Sequence, residues 1–232
     1  MDFSALLHID QLLFDLFNGS NSLFFDSLAV TLTTSTTWIP LYIALLYLVI
    51  KNNDTMAQIL LTVACAVVCV LISSTIADGI VKPLVARPRP LNDPSFKDAV
   101  DVVAGMTSRQ YSFFSGHASN TFCLAIFLSL LIRSKLATFF LVTWSLVNCW
   151  TRLYLGMHYP SDILVGLLWG GLVGTCMYWL YRYLYYRFSP HINYVSSQYT
   201  STGYGHSDID VLCAVFIFTL VYAALKAVQV FV

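Results

Sequence analysis

Residues 56–81 form a run of almost wholly apolar side chains that meets no charge until Asp78. About 20 such residues are enough for a helix to cross bilayer hydrocarbon, where every backbone N–H and C=O must be bonded within its own segment or a closed barrel. One such stretch therefore fixes both solvent and secondary structure. Similar runs recur at 22–50, 118–132, 136–150, from Asp162 onward, and at 209–232. With 58% hydrophobic and only 10% charged residues, and a mean hydropathy of +0.72, little is left over for a water-soluble domain. The expected fold is all-α: an integral membrane bundle of six transmembrane helices forming one domain over 1–232, with its motif-bearing core at about 56–188.

The opening residues read differently. Leu6, Leu7, Leu12, Leu13, Phe14, Leu16 and Phe17 recur with a helical period but are interrupted by His8, Asp10 and Asp15, which predicts an interfacial helix lying along the membrane. No basic n-region precedes them, so this helix is expected to stay on the mature protein. The first span is expected to run unbroken through the Ser/Thr cluster at 31–37, whose hydroxyls can bond the carbonyls of their own helix. Gly166, Gly170, Gly171 and Gly174 in the fifth span predict close approach of a neighbouring helix. The six cysteines lie in or beside apolar runs without metal-ligand spacing and read as small buried hydrophobes. A net charge of +0 without a basic tail argues against nucleic acid as a partner.

Alternating six spans puts loops 82–115 and 151–161 and both termini on one face. The opposite face carries Lys51, Arg133, Lys135, Arg182 and Arg187, whereas the loop face, once the site candidates Lys82, Arg89 and Arg152 are set aside, keeps Arg87, Lys97 and Arg109, so the loop face is expected outside the cytoplasm. The chemistry gathers on that face. In Ser115-Gly116-His117 a capping serine, a glycine and a histidine open a membrane helix, and a helix N-terminus binds anions through unpaired N–H groups and its dipole. Lys82 and Arg89 come from a proline-stiffened stretch that holds a guanidinium ready for phosphate oxygens; taken alone they would read as headgroup anchors, a role assigned here to Arg87. Arg152, His158 and Asp162 mark the junction of the fourth and fifth spans. Asp162 in the opening turn of the fifth span can accept the His158 Nδ1–H bond, leaving Nε2 free as a nucleophile. Asp78 is one turn from Lys82 and can pair with it, whereas Asp93, Lys97, Asp98, Asp101 and Arg109 read as loop surface and His8, His191 and His206 as interfacial or loop residues.

These three pieces resemble the type 2 phosphatidic acid phosphatase family of integral membrane phosphatases. Lys82 to Pro90 matches its Lys, six residues, Arg-Pro pattern; Ser115-Gly116-His117 matches its Pro-Ser-Gly-His; Arg152, His158 and Asp162 match its Ser-Arg, five residues, His, three residues, Asp. Phe114 stands in place of the usual proline and Thr151 in place of the usual serine. The resemblance implies that Lys82, Arg89, Ser115, Gly116 and Arg152 hold phosphate and that His158, oriented by Asp162, attacks phosphorus. His117 would protonate the leaving oxygen and later activate water. No metal or other cofactor is implied, because three cations and a helix terminus supply the charge that Mg²⁺ supplies elsewhere.

The leading expectation is hydrolysis of a lipid phosphate or diphosphate, with undecaprenyl diphosphate as the first choice on grounds of chain length and site orientation. Phosphatidylglycerophosphate, phosphatidate and lipid A phosphates remain open, as does the oligomeric state. A phosphotransferase would give the phosphate to a lipid or sugar hydroxyl in place of water. A transporter is disfavoured, since no span is expected to break in mid-membrane.

Overall fold

The structure is a computed structural model that describes residues 3–20, 22–105, 111–188 and 196–229. Arg109 and His191, assigned above to loops, lie outside the described residues. Among those described, the chain is helical with no strand: α1 Phe3–Asp15, α2 Leu23–Thr33, α3 Ile39–Lys51, α4 Met56–Ser74, α5 Lys82–Val85, α6 Gly116–Ile132, α7 Lys135–Tyr154, α8 Pro160–Phe188 and α9 His206–Val228. Among the described residues each expected span falls on helix, the first of them in two pieces. By length and hydropathy alone, the segment from Met56, α8 and α9 are fit to cross a membrane, and so is the α2–α3 pair if counted as one span.

That pair is where the structure departs from the expected unbroken span. α2 and α3 meet at 70°, joined by a short 3₁₀ turn, Ser35–Trp38. Thr34 is extended, and Pro40 in the first turn of α3 offers no N–H to a preceding helix. The hydroxyl cluster does the work foreseen for it, but at a corner: Thr34 Oγ1 donates to Val30 O at 2.8 Å, Thr37 Oγ1 to Thr31 O at 2.7 Å, and Trp38 Nε1 to Leu32 O at 2.8 Å. These bonds satisfy carbonyls that a break in apolar surroundings would otherwise strand. Trp38 then stacks on Phe216 of α9 and meets Trp144 of α7 edge-on, in the main core.

α6 and α8 form the tightest seam. A methyl group placed on Gly166, Gly170 or Gly174 would lie 2.8, 2.5 and 2.5 Å from the carbonyl oxygens of Ser115, Ser119 and Cys123, respectively. The helices thus touch backbone to backbone, as the glycine spacing predicts. Gly171 faces the Phe122 ring instead.

The helix from Met56 does not end at Ser74. It widens into a π-helical stretch, Thr75–Val81, continues as α5, and stops at Ala86 in the left-handed conformation. At the opposite end of the bundle Thr55 and Gln58 form a reciprocal capping box, and Asn52 ties the start of α9 through Gly205 N–H at 2.7 Å and Asp208 at 3.1 Å.

α1 is inside-out. Ile9, Leu12, Leu13 and Leu16 are exposed, whereas Asp10 and Phe14 are buried against the protein. An apolar stripe turned outward suits a helix resting in the bilayer surface. Phe14 packs on Phe96 and Tyr159, which docks α1 over the loops that carry the site.

Candidate active site

Each of the three sequence pieces enters the site on a different support. The π-helical widening delivers Lys82 to the interior, buried, with its Nζ 2.5 Å from Asp78 Oδ1. π-turns inside helices frequently mark functional positions, because the extra residue re-aims the side chains that follow. Asp78 is half-exposed and faces Gly116, where an added methyl group would meet its carboxylate oxygens at 3.1 and 3.3 Å. The pairing of Asp78 with Lys82 therefore holds, and it brings this carboxylate to the mouth of the helix terminus.

Ser115 caps α6, its Oγ accepting the Ala118 N–H at 3.4 Å, and the helix begins at Gly116 with His117 in its first turn. The Phe113–Phe114 peptide that leads into this cap is cis. Ser115 N–H donates to the Asp162 carbonyl at 3.1 Å, which fixes the α6 terminus against that of α8. His117 is exposed at the opening, and Arg152, His158, Lys82 and Asp78 all act on its imidazole electrostatically.

The third piece is set by the α7–α8 turn. Gly156 has φ +67°, and a methyl group there would lie 2.9 Å from Val100 Cγ1, so the turn needs glycine both for its backbone and for its space. Arg152, buried in the last turn of α7, donates from Nη1 to Thr33 Oγ1 at 2.6 Å, the residue at which α2 ends in the bend. Its Nε is buried with no hydrogen-bond partner. A break in the first span thus serves to position a cation of the site.

His158 is 1% exposed. Its Nε2 lies 3.4 Å from Arg89 Nη1, which also donates to the Met157 carbonyl at 3.0 Å. Its Nδ1 lies 3.5 Å from Asp162 Oδ2, and it has no hydrogen-bond partner. The expected Nδ1–H bond is therefore an ion-pair contact longer than a hydrogen bond; Oδ2 accepts the Tyr159 N–H at 3.0 Å instead. Burial pulls the His158 pKa down to about 4, with Arg89 and Arg152 acting in the same direction and Asp162 opposing them. A neutral imidazole is the form in which a ring nitrogen can act as a nucleophile. Lys82, Arg89, Arg152, Ser115, Gly116, His117, His158 and Asp162 thus converge, and none is left apart.

Arg87 does not anchor headgroups. Its side chain is 16% exposed and its guanidinium lies between two carboxylates, 2.6 Å from Asp10 Oδ2 and 2.8 Å from Asp162 Oδ1, and 3.9 Å over the Tyr159 ring. Asp93 also turns inward, accepting the Tyr159 hydroxyl at 2.9 Å, whereas Asp101 stays exposed as expected, its backbone N–H donating to Asn18 Oδ1 at 2.7 Å. The sequence hint for Asp10 and Arg87 was slight: an acid on the polar side of α1 and an extra arginine between prolines. Nothing in their spacing joins them.

The sequence pattern of the PAP2 superfamily matches residues 59–186. The chain is 37% identical to a lipid A 4'-phosphatase of Bacteroides thetaiotaomicron over 75% of this chain and 78% of that protein. It is 32% identical to a lipid A 4'-phosphatase of Porphyromonas gingivalis, over 77% and 75%. A crystal structure of a transmembrane PAP2-type phosphatidylglycerolphosphate phosphatase from Bacillus subtilis superposes with a TM-score of 0.58 at 18% identity, covering 81% of this chain and 90% of that one, and so shares the fold.

Proposed function

The chain belongs to the PAP2 superfamily as a membrane phosphatase, and from that premise we propose that it removes a phosphate monoester from the sugar headgroup of lipid A at the outer face of the bacterial inner membrane. The two relatives aligned over three-quarters of the chain support lipid A in place of undecaprenyl diphosphate. Asp78 supports the same choice. A half-exposed carboxylate at the rim of a cation cluster repels the second phosphate of a diphosphate and can accept a hydrogen bond from a sugar hydroxyl.

The observation that carries the mechanism is the buried, neutral His158 with Nε2 turned toward Arg89 and Asp162 behind Nδ1. Lys82, Arg89, Arg152, the Ser115 hydroxyl and the Gly116 N–H hold the phosphate. Nε2 attacks phosphorus as the ester oxygen leaves with a proton from His117, and Asp162 stabilises the positive charge on the phosphorylated ring. His117 then takes a proton from water, which attacks the phosphohistidine and releases inorganic phosphate. Charge at phosphorus is met by side chains and a helix terminus, so no metal step is needed.

Purified protein should release inorganic phosphate from lipid A in the presence of a chelator, and much less from undecaprenyl diphosphate. Quenching with labelled substrate should trap an acid-labile, base-stable phosphoprotein that is absent in His158→Ala. Turnover by His158→Ala, or a requirement for added Mg²⁺, would overturn the mechanism; transfer of the label to a lipid hydroxyl without phosphate release would make the protein a phosphotransferase.

A further inference from the structure

Asp162 is fully buried and has Arg87 on one of its oxygens, so within that pair the charge needed behind His158 is largely cancelled. Asp10 reverses this. Its Oδ2 takes the other end of the Arg87 guanidinium at 2.6 Å and the Ser161 hydroxyl at 2.6 Å, and its Oδ1 accepts the Ser161 N–H at 2.8 Å. Arg87 Nη1 closes the ring with Ser161 Oγ at 2.8 Å. Two carboxylates share one guanidinium, leaving one negative charge that extends to the oxygen facing His158 Nδ1.

We propose that Asp10 of α1 and Arg87 are positioning residues of the phosphatase reaction, which together fix Asp162 and keep the assembly behind His158 negatively charged. This rests on His158 being the nucleophile. When its Nε2–P bond forms and the P–O bond breaks, the ring keeps its Nδ1 proton and gains a positive charge, while the leaving oxygen takes the proton of His117. A charge one residue removed from Asp162 stabilises that cation through a water-poor interior, where Coulomb interactions fall off slowly. α1 is thereby a part of the catalytic apparatus, although it lies outside all three motifs. The guanidinium over Tyr159, and Phe14 one turn from Asp10 against the same ring, hold the arrangement in place.

The experiment compares the full-length protein with Asp10→Asn, Asp10→Glu and Asp10→Gln in detergent micelles. Single-turnover phosphorylation by lipid A should slow about tenfold or more in Asp10→Asn, with KM and vanadate affinity within about twofold of wild type. Asp10→Glu should run about tenfold faster than Asp10→Gln, whose shape is the same but whose charge is gone. If Asp10→Asn does not fold, the Glu/Gln pair makes the same comparison. A folded Asp10→Asn that phosphorylates at the wild-type rate, or Glu and Gln variants of equal rate, would overturn the proposal, as would losses that track melting temperature alone. His158→Ala serves as the control. If it turns over, the underlying mechanism has failed; if it is inert while Asp10 variants are unaffected, only the role of Asp10 and Arg87 has.

Discussion

Arg87 and Arg89 leave the chain on either side of Pro88, yet they belong to regions built on opposite principles. Arg87 is shared between Asp10 and Asp162 in a mount where two acids outnumber one cation. Arg89 joins Lys82 and Arg152 around His158 and His117, where Asp78 is the acid that the cations face and positive charge is in excess. The mount is satisfied within the protein, whereas the cradle contains Arg152 Nε without a hydrogen-bond partner. The difference teaches that burial alone does not say what a charge is for: Arg87 and Arg152 are both interior arginines, and what separates them is whether their surroundings already balance them, as in a support, or leave charge over for a ligand.

The sharpest way to break this distinction is to remove one cation from each region. Arg87→Gln strands two buried carboxylates and should cost about 3–5 kcal/mol of stability, read as a large drop in thermal unfolding temperature in detergent. Arg152→Gln should cost far less, about 1 kcal/mol for the lost bond to Thr33, but reduce phosphatase turnover by roughly 10²–10³-fold. If the two variants lose stability equally, the mount and the cradle are not distinct. Gly170→Ala tests the seam that joins them. Its methyl would meet the Ser119 carbonyl at 2.5 Å, so a loss of about 1–3 kcal/mol is expected, whereas Gly171→Ala, facing the movable Phe122 ring at 3.3 Å, should be milder.

The smallest effect is in pH. A His158 pKa of about 4 in the fold, against 6.5 for the free side chain, means that the unfolded chain binds a proton there that the folded chain refuses. Its contribution to stability is therefore fully present above pH 6.5 and is lost as pH falls toward 4, by at most ~1.4 kcal/mol per pH unit. The melting-temperature difference between wild type and His158→Gln should shrink as pH is lowered from 7.5 to 5. A difference that does not change would place His158 in water.

The cradle was legible in the sequence, and of the mount only Asp162 was. Lys82, Arg89, Ser115, Gly116, Arg152, His158 and Asp162 stand at fixed intervals near helix ends, where ionisable groups are costly without a purpose. Asp10 and Arg87 are joined only by folding, across 77 positions, and on an exposed helix or a basic loop each has an ordinary explanation. The fold divides in the same way. Hydropathy places the spans and the glycine interval foretells the α6–α8 contact, because both are periodic. The 70° corner between α2 and α3 carries no period. Its hydroxyls suit a straight helix as well as a broken one, and it is Arg152, far along the chain, that engages Thr33 where α2 ends.

The seam between α6 and α8 has a mechanical consequence. Membranes differ in thickness and lateral pressure, and helices accommodate mismatch chiefly by tilting. Where two helices meet through side chains, tilting lets them slide; here carbonyl oxygens lie in the hollows of three glycines, and Ser115 is tied to Asp162 at the same end. A bilayer that thins or thickens can therefore rock the pair only as one lever. The gap between the α6 terminus and the head of α8 is thus set like a gauge block, by backbone contacts and not by the packing of side chains.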